Sequence, residues 1–276
     1  MAWLGVVPFF AYATAFLLAP SAVVLVGAFK SDKGNFTFDN LSTVVHTPEY
    51  VRAFKTSIEI SLVTAIVGGI LGLLMAYAAV RNGTPRWIRP LLTTFSGVAA
   101  NFAGIPLAFA FIATIGFTGI VTKLLNDHLG YNLYQHGFTL FSFWGVALVY
   151  LYFQIPLMIL VIAPAIDGLR AEWREASSNL GGSSFQYWRH IGFPVLLPSV
   201  LGATILLFGN SFAAYATASQ LGGVNLVPVI IGQNIGGDVL SNPHLSQALA
   251  FGMIIVIAIS MVLYALVQRR ASKWMK

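Results

Sequence analysis

Apolar residues in this chain do not alternate with polar ones. They run in six long stretches, Trp3–Phe29, Ser57–Val80, Leu91–Phe117, Leu140–Ile166, Val195–Ser219 and Ser246–Gln268. Each is near or above the ~20 residues an α-helix needs to cross hydrocarbon. None shows the ~10-residue in/out alternation of a membrane barrel strand. The pattern predicts an all-α, polytopic transmembrane bundle of about six spans. Pro8, Pro20, Pro106 and Pro156 fall inside these stretches and predict kinks, because neighbouring helices can satisfy the backbone groups a proline frees. Val26-Gly27-Ala28 imitates a signal-peptidase site, but no Lys or Arg precedes the first run. That run also exceeds the ~7–15-residue core of a signal peptide, so it is expected to remain as a span. No connecting stretch is long enough for a separate domain, and residues 1–276 read as one transmembrane domain.

Composition agrees. Only 9% of residues are charged and 57% are hydrophobic, against about 25% charged in soluble domains. There are too few polar groups to coat a water-soluble body of this size. The formal net charge of +6 would raise the question of nucleic acid in a soluble protein. Here the cations sit in short loops, where they set orientation. One set of connections holds Arg81, Arg86, Arg89, Arg170, Arg174, Arg189, Arg269, Arg270, Lys273 and Lys276; the other holds Lys30, Lys33, Arg52, Lys55 and Lys123. The ten-to-five excess makes the first set cytoplasmic, with both termini inside and outer loops at Lys30–Thr56, Thr118–Thr139 and Gln220–Leu245. The chain has no cysteine, which excludes disulfides, thiolate metal sites and cysteine nucleophiles. His46, His128, His136, His190 and His244 are scattered without metal-ligand spacing, so no metal site is expected. No paired nucleophile and base is present, and no catalytic residue is assigned.

The segment Asp167–Pro194 stands out on the cytoplasmic side. It is more polar than its surroundings and far longer than the 2–8 residues that join antiparallel helices. Residues Glu172 to Leu180 predict a short helix, with Leu169, Trp173, Ala176 and Leu180 on one face. Gly181-Gly182 stops it, glycine taking a positive φ at little cost. Ser183 or Ser184 then caps a second short helix over Phe185–His190. Pro194 and Pro198 are expected to end that helix and turn the chain into the fifth span. Phe185, Tyr187 and Trp188 would form an aromatic knuckle suited to a groove on a partner.

Glu175-Ala176-Ser177, three residues, Gly181, nine residues, then Ile191-Gly192-Phe193-Pro194 resembles the EAA loop of the permease subunits of binding-protein-dependent, type I ABC importers. The family pattern is Glu-Ala-Ala, three residues, Gly, nine residues, Ile-x-Leu-Pro. Ser177 and Phe193 depart from it mildly, and Pro198 matches a further family proline. Phe36–Asn40 and Ala76–Arg81 also look like family segments, so the resemblance runs from about residue 36 to the sixth span. In general look the chain is similar to the polyamine (spermidine/putrescine) subgroup. The resemblance implies a type I importer permease fold in a bacterial inner membrane and half of a translocation pathway. Expected partners are a second permease, more often a different chain than a second copy, two ATPase subunits and an extracytoplasmic binding protein. ATP and Mg would sit on the ATPases and no cofactor on this chain, in keeping with the absence of a GxxxxGK[ST] loop. Glu175, Ala176, Ser177, Gly181, Ile191 and Pro194 would couple to the ATPase, with Phe185, Tyr187 and Trp188 added from the reading of the residues themselves.

Within the spans, Glu59, Asn101, Asn210, Phe212 and Tyr215 are candidates to line the pathway. Each has a plainer reading that is favoured. Glu59 would pair with Arg52 or Lys55 at headgroup level, where a carboxylate is far cheaper than at the bilayer centre. Asn101, Gln154, Asn210 and Gln220 would hydrogen-bond between helices. Phe212 and Tyr215 would pack. The competing class is a carrier driven by an ion gradient, which would place ionisable residues near the midplane and repeat its halves; neither feature is evident here.

Overall fold

A computed structural model describes residues 6–31, 33–80, 84–85, 87–236 and 243–272. Trp3, Arg81, Arg86, Lys273, Lys276 and the Gly237-Asp238 part of the third outer loop lie outside the described residues. Among those described, the secondary structure is helical, with one isolated antiparallel bridge between Lys30 and Phe36. Among the described residues six helical segments are long and apolar enough to cross a membrane, the third of them running over Ile105–Leu129 with an interruption after Ile115. In chain order the helices are α1 (Val7–Gly27), α2 (Asp39–His46), α3 (Pro48–Val80), α4 (Ile88–Asn101), α5 (Ile105–Ile115), α6 (Ile120–Leu129), α7 (Phe143–Asp167), α8 (Ala171–Asn179), α9 (Ser184–Phe212), α10 (Ala216–Leu221), α11 (Val227–Gly236) and α12 (Pro243–Ser272).

The helices gather into two compact units. The first draws on Met1–Ser57 and Asn225–Ala258. Its core joins Ala28, Val44, Ala53, Val227, Ile230, Ala248 and Leu249. Phe29 and Phe251 meet edge to face at 5.2 Å. Small residues set its spacings: a methyl group on Gly27 would collide with the Gln247 side chain, and one on Gly252 with the Phe54 ring. Ser57 accepts the Val227 N–H at 3.0 Å, satisfying a donor at the start of α11.

The second unit, Ile58–Val224 with Ile259–Lys276, is built around α7. Tyr150, Phe153, Gln154, Met158, Ile159 and Ile162 are buried along that helix. Gly68 and Gly72 of α3 let that helix lie directly on it, because a Cβ at Gly68 would reach Gln154 at 2.8 Å and one at Gly72 would reach Met158 at 2.5 Å. Helices α4 and α9 also pack on α7. Polar contacts cross this interior. Thr64 and Ser211 share a hydrogen bond of 3.0 Å, and Gln154 Nε2 donates to the Leu207 carbonyl at 2.9 Å. Hydrogen bonds of this kind hold helices together where hydrocarbon removes the hydrophobic drive to associate. Leu62, Ile66, Ile70 and Leu74, one turn apart on α3, are all exposed. That stripe needs an apolar solvent.

Three sequence expectations are corrected. The third apolar stretch is not one kinked helix. It breaks between α4 and α5 at Phe102–Gly104, where Gly104 adopts φ +75°. Pro106 therefore starts a helix, in the first turn where its missing N–H costs nothing. The fifth stretch breaks too, between Phe212 and Ala216. Finally, Pro194 and Pro198 do not end the second loop helix. It passes straight into the fifth span through one wide π-turn at Trp188–Gly192, in which the Phe193 N–H reaches back to the Trp188 carbonyl. Pro194 then falls in the first turn of the following α-segment and Pro198 lies inside it, so neither proline stops the helix.

Candidate functional site

The polar segment between α7 and α9 folds into a helix–turn–helix whose every junction has a local cause. Helix α7 ends at Asp167, and Asp167 forms an ion pair with Arg89 of α4. Arg170, in extended conformation, opens α8, and its guanidinium lies over the Trp173 ring at 5.9 Å. Helix α8 closes with Gly181 at φ +77°. The Gly181 N–H bonds the Ser178 carbonyl at 2.9 Å and the Gly182 N–H bonds that of Ser177 at 2.8 Å. These bonds satisfy carbonyls that a helix end leaves open. Gly181 is needed for its backbone angle and Gly182 for space, since a Cβ there would sit 2.8 Å from the Ser177 carbonyl oxygen. Ser183 and Gln186 then form a reciprocal capping box: the Ser183 N–H donates to Gln186 Oε1 at 2.7 Å and the Gln186 N–H to Ser183 Oγ at 3.3 Å. Such a box satisfies two otherwise open donors at once.

The turn sorts its side chains into two sets. Tyr187 is buried, and its ring meets that of Trp188 edge to face at 5.7 Å; Trp188 in turn meets Tyr77 of α3 at 4.9 Å. Gly192 makes room for this, because a Cβ there would lie 2.7 Å from the indole. Phe185 and Leu180 instead point outward, 71% and 89% exposed. Glu175 and Ala176 are exposed beside them. The three aromatic residues of the expected knuckle are thus divided between anchoring and display. Between α8 and the start of α9 runs an open groove of about 490 Å³, lined by Trp173, Ala176, Leu180, Gln186, His190 and Ile191 among others. The loop glycines and Ser177 also border it. Pro194 lies in the first turn after the π-segment.

The residues proposed for a pathway are less concentrated. Glu59 and Asn210 are exposed on their helices. Asn101 is exposed at the end of α4, and its amide donates to the Gly97 carbonyl at 2.8 Å. Phe212 is buried and stacked on Phe208 at 5.5 Å. Tyr215 is exposed at the second helix break.

What the sequence reading missed is the join between the two breaks. Thr217 Oγ1 accepts the Gly104 N–H at 2.9 Å and donates back to the Gly104 carbonyl at 3.3 Å. The Tyr150 hydroxyl donates to the Ala214 carbonyl at 3.0 Å. Two interrupted helices in hydrocarbon free backbone groups that must find partners inside the protein, and these side chains supply them. The one available signal was Gly-Ile-Pro at 104–106, a pairing of turn glycine and helix-start proline. Buried Gln154 keeps its Oε1 unpartnered, as does Ser96 its hydroxyl. Among the described residues, no three His, Asp or Glu side chains converge as metal ligands would.

The chain thus combines membrane-length helices with a capped helix–turn–helix set between two of them. The same fold is seen in the crystal structure of a bacterial ABC transporter that imports the acidic polysaccharide alginate. There the TM-score is 0.77 at 15% identity, over 98% of this chain and 95% of that one. Residues 68–273 match the family described as binding-protein-dependent transport system inner membrane component, and the chain belongs to that family. It is accordingly a multi-pass protein of the bacterial inner membrane. Its relatives include the sulfate transport system permease protein CysT of Salmonella typhimurium, 28% identical over 65% of this chain; the match spans 62% of the CysT length. Another is the spermidine/putrescine transport system permease protein PotC homolog of Mycoplasma pneumoniae, 28% identical over 78% of this chain and 74% of that one.

Proposed function

We propose that this chain is the membrane-spanning permease subunit of an ATP-binding-cassette importer. It forms half of a translocation pathway and does no bond chemistry itself. The observation that carries this is the segment Asp167–Pro194: an exposed helix, a turn built from two glycines and a capped second helix, in a chain of this family. Helix α8 presents Glu175, Ala176 and Ser177, the turn presents Gly181, and the open groove beside them receives part of the ATPase surface. Phe185 enters the contact directly. Tyr187 and Trp188 hold the turn onto α3, while Ile191 and Pro194 join it to the fifth span. ATP and Mg reside on the two ATPase subunits.

In this assignment residues 1–276 act as one permease domain with both termini in the cytoplasm, the arginine and lysine excess supporting that orientation. A second permease, favoured to be a different chain, completes the pathway, and an extracytoplasmic binding protein delivers the cargo. The cargo is a small polar solute. A polyamine is favoured by the sequence resemblance and by the PotC homolog, and sulfate by the similarity to CysT. The pathway assignments of Glu59, Asn101, Asn210, Phe212 and Tyr215 belong to the same proposal; Asn101 and Tyr215 are the strongest, each lying beside a helix break.

The test is co-purification of the tagged chain with an ATPase subunit, followed by reconstitution with the binding protein. ATP hydrolysis that rises with loaded binding protein, and uptake of spermidine or sulfate that stops without ATP, are the expected results. Uptake that follows an ion gradient in the absence of ATPase subunits would assign the chain to the carrier class instead.

A further inference from the structure

A second cleft lies on the other side of the loop helix; Glu175, Tyr187 and Trp188 of the proposed coupling loop share its border with Arg170 and Arg174, to which the transport scheme gives no role. It measures about 480 Å³ and is bordered by Arg170, Arg174 and Glu175 of the loop, with Tyr77, Tyr187 and Trp188. An apolar cleft of about 240 Å³ adjoins it, bordered by Leu73, Leu74, Phe193, Leu196 and Val200. Tyr77, Ile166 and Trp188 border both, so the two adjoin at these residues and together form a furrow. Its polar end carries two cations and one carboxylate, a net charge of about +1 (two minus one). Among the described residues, neither arginine is held in a salt bridge. Its other end is entirely aliphatic and aromatic and runs along helices that cross the membrane. Tyr77 and Trp188, in edge-to-face contact, mark the step between them, and Tyr and Trp concentrate at the level of lipid headgroups.

We propose that this furrow binds one anionic phospholipid, with its phosphodiester at Arg170 and Arg174 and part of an acyl chain between α3 and α9. Basic pockets between membrane helices select acidic headgroups. An inorganic anion would have no use for the apolar end, and a zwitterionic lipid gains less from the net positive charge. The site is distinct from cargo and nucleotide, so its test does not depend on transport.

The full-length chain, purified in detergent, is titrated with phosphatidylglycerol or with phosphatidylcholine of the same acyl chains, and retained lipid is counted by native mass spectrometry. One phosphatidylglycerol per chain is retained in preference to phosphatidylcholine. Arg170→Gln and Arg174→Gln each lower that preference about fivefold. Leu74→Trp, at a position 57% exposed and therefore tolerant of a larger ring, fills the apolar end and lowers retention of both lipids. Leu206→Trp, at a position 50% exposed outside the furrow, leaves retention unchanged. Each variant is first shown to keep the thermal unfolding midpoint of the parent. Equal retention of the two lipids, indifference to the arginine substitutions, or displacement of the lipid by millimolar inorganic phosphate would each overturn the assignment.

Discussion

The two loop glycines do different physical work, and substitutions separate them. At Gly181 a side chain meets open space, but the backbone is left-handed at φ +77°. An L-residue there loses about 1–2 kcal/mol, and asparagine, which tolerates that region, loses less. At Gly182 the angle is ordinary, but a Cβ would approach the Ser177 hydroxyl at 2.7 Å and the Ser177 carbonyl at 2.8 Å. Removing the hydroxyl leaves the carbonyl contact in place. The expected order of coupling is therefore parent, then Gly181→Asn, Gly181→Ala and Gly181→Val. One to two kcal/mol shifts a two-state equilibrium about 5–30-fold, which bounds the loss of turn geometry in the alanine variant. Gly182→Ala should be impaired as well, and Ser177→Ala in the same chain should not rescue it. The assay is the ratio of solute transported to ATP hydrolysed in proteoliposomes containing the binding protein. If asparagine and valine at 181 perform alike, the left-handed angle is irrelevant to coupling. If Ser177→Ala restores Gly182→Ala, the clash lies with the side chain and the backbone argument fails.

Other substitutions follow from single contacts. Thr217→Val removes the partner of a freed Gly104 N–H and should cost about 1–3 kcal/mol, while Thr217→Ser should retain most of the stability; thermal unfolding in detergent compares them. Ser183→Ala deletes one half of the capping box and should cost about 1 kcal/mol, read as faster proteolysis within the loop at unchanged global unfolding temperature. Gln154→Leu gives up one hydrogen bond but also removes an unpartnered buried oxygen, so its unfolding temperature should stay close to the parent, whereas Gln154→Glu, placing a charge in hydrocarbon, should lower expression sharply. Arg89→Gln breaks an exposed ion pair and should change stability by less than about 1 kcal/mol; a larger loss would mean that the pair fixes the loop.

Much of this molecule was legible because hydrocarbon imposes a simple demand. A helix facing lipid must be apolar throughout, so span number and class follow from run length alone. The loop was legible for the opposite reason: Gly181-Gly182 followed by Ser183 and, three residues on, Gln186 is a set of local instructions that needs no tertiary context. The helix breaks were hidden. Phe102, Ala103, Ala213 and Ala214 are as apolar as their neighbours, and hydropathy cannot distinguish a span that stops and restarts from one that continues. The prolines misled in the other direction. A π-turn, which depends on Gly192 accommodating the Trp188 ring, absorbs what would otherwise end a helix. The division of the aromatic residues was hidden too, since which ring turns inward depends on Tyr77, more than 100 positions away in the chain.

The unbroken course of α9 has a mechanical consequence. Its 29 residues extend about 43 Å, from Ser184 to Phe212, immediately before the second break. A helix of that length resists compression far better than a loop does, so it behaves as a connecting rod: an axial push or twist received at Ser184 arrives at Ala213 nearly undiminished. The compliant points are then its two joints, the glycine pair at one end and the short interruption stitched to Gly104 at the other, so a push on the loop would be taken up where the two helix breaks meet.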